Sequence, residues 1–555
     1  MYAPTSHRAF QRSEKKVYLG DLDAALRAQR SRGAVAFPHL PAKALMDNLD
    51  LRCAGTGLPL SEKTLLMHSS RVPGPTYDRA SLDPGVVHIG VGGFHRAHQA
   101  VYLDEVAERG LSVEWGVVGV GLRSRGMTAA LTAQDGLFTV VERDGTGEQA
   151  RIIGALSRCL FAPDRPDEVL DALTDPHTRL VTLTVTGAGY PVDDAGEFDP
   201  SDPDVRADLA NPHSPSTVFG YLTEALDRRR QAGLRPFTVL SCDNVPNNGA
   251  FTRTAVLSFA RSHSHGLASW IAENVTFPSS MVDRITPSTS NIDRGTVART
   301  FGVADRWPVV TEPYRQWVVE DDFCNGRPPL EEVGVEIVGD VTPYKLVKSR
   351  LLNGSHSALG YLGHLAGHRR TDTAMSDRLL RRYVQRLMAD EVAPLLPTVP
   401  GLDLAAYQRT LLDRFANPTV GDPLARLCQR GSTKVPAYLL PSLREALAQG
   451  RPAELLTLAV AGWFRYLRAV DLDGAPITVE DARSDRMQAL ARAGRDDPRP
   501  LLEMREVFGD LGDARWFVTT LQRMLGSIDR HGLRSTLHAF LTPGVVIESS
   551  PVHRR

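Results

Sequence analysis

The sequence predicts an α/β class, a doubly wound parallel sheet followed by a mostly α-helical part. Three observations predict it. Short apolar runs rich in β-branched residues alternate with stretches of helical spacing over the first 340 or so residues, the signature of strand–helix–strand units in a parallel sheet. After about Pro343 the texture changes: Leu, Ala and Arg dominate, β-branched runs vanish, and helical periodicity continues nearly to the end. The composition, 42% hydrophobic and 23% charged over 555 residues, is ordinary for a globular chain, and that length predicts roughly two to four domains.

In chain order, residues 1–60 read as an extension with doubtful order, carrying one short helix at "DLDAALRAQR". Residues 61–342 form the expected α/β domain. Its strands are "GVVHIGVGG" (85–93), "WGVVGVGL" (115–122), "RLVTLTVTGAGY" (179–190) and "FTVLSCDNV" (237–245). Between the first two, "FHRAHQAVYLDEVAERG" (94–110) predicts one helix, with Ala97, Val101 and Val106 on one side. Residues 343–555 form the expected helical domain.

Formal net charge is −1, so no basic excess calls for nucleic acid. The longest apolar stretch, around Leu455–Phe464, is too short to span a bilayer, and the polar first twenty residues lack a signal-peptide core. The five cysteines are scattered without a CxxC pair, which argues against a disulfide framework or a cysteine zinc site and fits a reducing cytoplasm. A cytoplasmic protein, monomeric or weakly oligomeric, is expected.

The run ending Gly90-Val91-Gly92-Gly93 and leading into a helix is the layout that receives a dinucleotide pyrophosphate in a Rossmann-type domain. Phe94 and Arg96 at the start of that helix join the candidate cofactor set. His95 stands where the fingerprint carries its third glycine, and such a turn alone is also compatible with an ordinary tight turn. The second strand ends "GLRSRG" without the carboxylate that would hold the ribose 2′-hydroxyl of NAD. Arg123 and Arg125 stand there instead, either as partners for the 2′-phosphate of NADP or as solvated loop charges. Either dinucleotide is therefore a candidate.

"KSRLLNGSHSALGYLGHLAG" (348–367) reads as a buried helix interrupted by Lys348, Asn353 and His356. At about 100° per residue, Asn353 falls about 140° and His356 about 80° round from Lys348, so the three share one side. Burying such groups is costly unless something pairs with them. With Asn244 at a strand's carboxyl end and Asp283 in an apolar segment, they could run metal-free carbonyl–alcohol chemistry. A buried lysine of lowered pKa would serve as general base, and amide N–H donors would hold the oxygen. Taken singly, Lys348 also reads as a helix-end charge and Asn244 as a turn former. His95/His98 and His364/His368 have helix-compatible spacing but no third convergent ligand or HExxH context, so no metal is expected.

Five segments in order, "HIGVGGFHRAHQAVYLDE", "SCDNVPNNG", "MVDRITP", "EPYRQWVVEDDF" and "KSRLLNGSHSALGYLG", resemble the mannitol dehydrogenase family of polyol-specific long-chain dehydrogenases, from about residue 60 to the C-terminus. The resemblance implies a Rossmann-type domain, a helical domain and a substrate cleft between them. It implies metal-independent hydride transfer between a sugar alcohol and a ketose, mannitol and fructose first, with fructuronate or arabinitol as alternative substrates. It implies Lys348 as base, Asn244 and Asn353 as the oxyanion pair, and His356 and Asp283 as substrate-hydroxyl ligands. Arg426 and Lys434 in "PLARLCQRGSTK" would meet the far end of the substrate, and NAD is the family's implied cofactor. The chain departs from the family at Gly187 and Lys345, where carboxylates are common. That departure leaves a dinucleotide-binding protein without turnover as the rival class.

Overall fold

The computed structural model describes residues 57–191, 198–420 and 422–542. The helix expected at 21–30, with most of the 1–60 extension, lies outside them. Leu58–Pro59 is described and pairs in parallel with Val303–Ala304.

The larger strands in chain order are β1 (Val86–Ile89), β2 (Val117–Gly121), β3 (Phe138–Asp144), β4 (Gly147–Ile153), β5 (Leu156–Phe161), β6 (Leu180–Leu183), β7 (Thr238–Ser241), β8 (Ser280–Asp283), β9 (Val309–Thr311), β10 (Gln316–Glu320) and β11 (Glu336–Val338). One parallel sheet runs in the order β5-β2-β1-β6-β7. The chain moves outward from β1 to one edge, then returns to build the other side. The crevice beyond the carboxyl ends of β1 and β6 is thus the switch point at which such sheets bind ligands. Val87 and Ile89 pack into the core on one face and Val86 into the core on the other. Burial on both faces explains the near-continuous apolar runs. The expected fold class is the one observed.

Two smaller sheets were not legible as strands. In one, β3 and β4 form an antiparallel hairpin with β9 parallel to β3. In the other, β10 pairs antiparallel with β8 and parallel with β11. Strands such as "GEQARII" carry charges on their exposed face, and their pairing is set by partners far away in sequence. The second small sheet is a wall between two cores: Val282 and Val319 pack on the side of the parallel sheet, Met281 and Val318 in the core of the helical part.

The helix expected at 94–110 is two helices, α1 (Gly93–Ala97) and α2 (Gln99–Glu108), broken at His98 (φ −125°, ψ −86°). The buried His98 ring causes the break. Its Nε2 donates to the Gln316 carbonyl (2.9 Å), its Nδ1 accepts from Gln99 (3.1 Å), and Trp317 packs against it. Tertiary contacts here override local helical preference.

After β7 comes α3 (Asn248–His263). The helical part opens with α4 (Thr342–Val347), which passes through a π turn (Lys348–Asn353) into α5 (Gly354–Leu365). It continues with α6 (Leu404–Phe415), α7 (Leu424–Cys428), α8 (Gly431–Tyr438), α9 (Glu454–Tyr466) and α10 (Arg515–Leu541). Every residue of α5 is buried, so it is the central helix of this part. Among the described residues, no helix is long and apolar enough to cross a membrane.

Gly90, directly after β1, has φ +105°, and a Cβ there would lie 2.3 Å from the Thr184 carbonyl oxygen. At Gly92 the nearest neighbour of an added Cβ is 3.6 Å away. Gly90→Ala should therefore destabilise the protein by about 1–3 kcal/mol, and Gly92→Ala by clearly less. Parallel denaturation curves of the two variants check the order.

Candidate active site

The glycine turn is tied to the neighbouring strand end. The Thr184 hydroxyl donates to the Gly90 carbonyl (2.8 Å), which leaves its oxygen to accept from His88 Nε2 (2.9 Å). His88 Nδ1 in turn accepts from the Thr182 hydroxyl (2.7 Å). His95 stacks on the His88 ring with centroids 3.4 Å apart and planes 11° from parallel. This stacking accommodates a bulky residue at the fingerprint's third position, two residues before α1 ends. Burial pushes both imidazoles down, His88 to about 3, so the stacked pair is neutral. Gly92 caps α1 and Gly93 begins it, and both are half-buried, as is Phe94, which stacks on His98.

The other cofactor candidates are dispersed. Arg96 is 1% exposed, donates to the Trp307 carbonyl and lies over the Phe138 ring. It is a strut inside the domain and does not face the crevice. Burial lowers its guanidinium to about 10. Arg123 is exposed at the end of β2. Arg125 pairs with Asp164 and lies over Phe161.

Lys348 stands at the start of the π turn, where α4 and α5 meet the dinucleotide domain. It is buried, and its Nζ donates to Asn244 Oδ1 (2.6 Å) and to the Val282 carbonyl (2.7 Å). Burial lowers the amine's pKa; Asp283 opposes that and Arg414 adds to it. The expected uniform α-helix is corrected here. A π turn bonds i to i+5 and holds more residues per turn. It therefore brings Asn353 closer to the Lys348 side than about 140°. Such turns recur at functional sites for this reason.

Asp283 ends β8 and is held by Arg414 of α6, which donates to its two oxygens at 2.7 and 3.0 Å. The same guanidinium reaches Glu312 at 2.9 and 2.7 Å, and all three side chains are at most 5% exposed. Burial pushes the Asp283 carboxyl up, but Arg414 and Lys348 outweigh it and hold it below its ordinary value. Burial wins at Glu312, which is raised. Tyr314 lies under the Arg414 guanidinium at 4.0 Å.

His356 lies on α5 with its ring 4.1 Å from that of Phe415. Among the described residues, its buried Nε2 has no hydrogen-bond partner, nor has the Tyr407 hydroxyl of α6. Burial, then Arg426, Arg414 and Lys434, keep His356 neutral. Two such polar atoms, both near Arg414, are what a polyhydroxylated ligand would satisfy. Arg426 of α7 pairs with Asp422, and Lys434 of α8 donates to the Arg426 and Leu427 carbonyls (3.0 and 3.3 Å). Burial and the neighbouring arginines lower Lys434 to about 8. A cavity of about 270 Å³, lined by Pro287, Ser288, Val310, Arg143 and Arg426 among others, adjoins this end.

The structure thus gathers Lys348, Asn244 and Asp283 directly, with His356 and Asn353 on the continuing helix and Arg426 and Lys434 farther along. Asn353 is half-buried, with no side-chain hydrogen bond among the described residues. Sequence reasoning missed Arg414, Glu312, Tyr314 and Tyr407. Glu312 and Tyr314 lie within "EPYRQWVVEDDF", so that segment held a signal. Arg414 is one arginine among several on an amphipathic helix and had none. Among the described residues, no three His, Cys, Asp or Glu side chains converge as metal ligands.

Comparison with known proteins gives consistent results. Residues 84–332 match the family model described as mannitol dehydrogenase Rossmann domain, and residues 340–529 the mannitol dehydrogenase C-terminal domain. A mannitol 2-dehydrogenase of Phaeosphaeria nodorum is 45% identical over 86% of this chain and 85% of its own. The solved ternary complex of Pseudomonas fluorescens mannitol 2-dehydrogenase with NAD and D-mannitol is 44% identical. It covers 87% of this chain and 99% of its own, with a TM-score of 0.79. A D-sorbitol dehydrogenase structure in substrate-free form is 36% identical, covering 86% and 100%, with a TM-score of 0.80.

Arg414→Met leaves two carboxylates buried without their cation, and should cost about 3–5 kcal/mol at neutral pH. In the variant both carboxyls would have folded-state pKa values above their unfolded ones. Stability is then retained at low pH and lost as pH rises through that range. The melting-temperature gap to the parent should therefore narrow between pH 8 and pH 5. A constant gap would mean the carboxylates are rehydrated in the variant.

Proposed function

The chain belongs to the mannitol dehydrogenase family, and on that premise we propose that it is an NAD-dependent polyol dehydrogenase interconverting D-mannitol and D-fructose without a metal. The observation that carries this reading is the buried Lys348 amine, lowered in pKa and fixed between Asn244 and the Val282 carbonyl. The glycine turn fits a dinucleotide. Left-handed Gly90 and half-exposed Gly92 and Gly93 leave room for a pyrophosphate against the backbone at the sheet's switch point. When bound, the nicotinamide supplies the hydride acceptor for oxidation and the donor for reduction.

The protein's own part is proton transfer and orientation. In its neutral form Lys348 takes the proton of the reacting hydroxyl, and in its ammonium form it returns one to the ketose oxygen. Asn244 and Asn353 offer amide N–H groups to that oxygen as negative charge develops on it. His356 Nε2 and the Tyr407 hydroxyl, both unpartnered among the described residues, meet further substrate hydroxyls. Asp283, pinned by Arg414, keeps a negative charge near Lys348, and Arg426 and Lys434 serve the distal hydroxyls.

The substrate is tested with purified protein on mannitol, sorbitol and arabinitol with oxidised cofactor, and on fructose and fructuronate with reduced cofactor. Mannitol and fructose should have the highest kcat/KM, and a clear preference for another pair would replace them. Lys348→Ala should lower kcat by about 10²–10⁴-fold with NADH affinity unchanged. Turnover near the parent's at every pH from 6 to 10 would remove Lys348 from the role. At the ribose, Arg125 is already engaged by Asp164, which leaves exposed Arg123 as the residue to hold a 2′-phosphate. Arg123→Ala should lower kcat/KM for NADPH roughly tenfold or more, the value of one charge-assisted hydrogen bond, and leave NADH use unchanged. Equal falls for both cofactors would make it a structural loop charge.

A further inference from the structure

A second lysine lies one turn before Lys348. Lys345, on the last turn of α4, donates its Nζ to Asn248 Oδ1 (2.6 Å), just as Lys348 donates to Asn244 Oδ1 (2.6 Å). The two acceptors are four residues apart, Asn244 in the loop before α3 and Asn248 as its first residue, so a pair of amines spaced i, i+3 docks on a pair of amides spaced i, i+4.

Asn248 is a rigid anchor. Its Nδ2 donates to the carbonyls of Ser241, Asp243 and Ser280 (2.9, 3.1 and 2.9 Å), and its Oδ1 also accepts from the Ser280 amide (3.1 Å). The Lys345 amine is therefore held in place by a neutral group. The charged groups facing it are Glu320 of β10 and Lys348 itself. Glu320 spends its oxygens on the amides of Ser279 (2.7 Å) and Val341 (3.4 Å). On the α3 side, Asp243 turns its carboxylate the other way, onto the Val185 and Thr186 amides and the Tyr190 hydroxyl. Lys348 is also faced by Asp283 and Arg414.

We infer that Lys345 is a positioning residue for the proton step: a fixed second cation that disfavours charge on Lys348 and so keeps it in the neutral, proton-accepting form. This rests on Lys348 being the base. Like-charge proximity is an established way to make a lysine reactive near neutral pH. Lys345 is the less buried of the two amines, so of the pair it keeps its charge at the smaller desolvation cost; the repulsion is mutual, and with burial it also lowers Lys345, to about 8. Each turnover stays balanced, with the hydroxyl proton on Lys348 and the hydride on the nicotinamide.

The test compares Lys345→Arg, Lys345→Met and Lys345→Glu with the parent. The limb on which kcat/KM for polyol oxidation rises with pH should move up by about one unit in the Met variant, as expected on losing a like charge one helical turn away in partly screened surroundings. It should move further up in the Glu variant and stay at or below the parent's position in the Arg variant. Oxidation at pH 7 in the Met variant should fall about tenfold, with the melting temperature kept in the Arg variant. A second readout is independent of catalysis. In protein carrying ε-¹³C-lysine, the Lys348 resonance, identified by its loss in Lys348→Ala, should titrate in the same order across the variants. Superimposable titrations would overturn the inference. An ordered titration combined with an active Lys348→Ala variant would keep the electrostatic coupling while rejecting the base role on which the inference depends.

Discussion

The site depends on one buried ionic cluster, Arg414 between Asp283 and Glu312. Each charge is expensive to take out of water, and only close mutual geometry compensates. Here the geometry is met by four hydrogen bonds from one guanidinium. A fifth bond runs from the Ile285 amide to Glu312 (2.5 Å). The carboxylates belong to the strand-rich half and the guanidinium to α6 of the helical half, so the cluster clasps one half to the other. It also fixes the end of β8, whose Val282 carbonyl is one of the two acceptors of the Lys348 amine. A shift in that clasp would move the wall against which the amine is held.

Lys348 sits under opposing influences, of which burial prevails. Burial and Arg414 favour the neutral amine, whereas Asp283 and two short acceptors favour the ammonium. A buried amine of lowered pKa gives up its proton at less cost than a free one. The π turn contributes geometrically. By widening one turn at the junction of α4 and α5, it directs Lys348 and Asn353 to one side without breaking the helix that the surrounding core needs. The cost is an irregular backbone segment leading into a buried helix.

The dinucleotide half reaches the same rigidity with neutral groups. Thr184 and Thr182 fasten His88, His95 stacks on it, and the glycine turn is thereby tied to the end of β6. Asp243 fastens the loop after β6 to the loop after β7, beside Asn244. The loops at the carboxyl ends of these strands are therefore cross-linked to one another as well as anchored on their strands.

The sequence by itself determined the parallel sheet, the glycine turn and the polar set on the central helix. Each is written in local pattern: two-sided apolar strands, a glycine where only a positive φ fits, and polar residues on an otherwise apolar helix. It could not show the small sheets, whose strands are recognisable only from partners up to about 170 residues away, nor the break at His98, which the Gln316 carbonyl and Trp317 impose. Arg96 and Arg125 looked alike as candidate cofactor ligands. Only packing distinguished the buried strut from the residue bound to Asp164. Tertiary structure alone chose Arg414 from the arginines of the helical half, because a buried ion cluster is defined by the convergence of three distant segments and leaves no periodic trace in any of them.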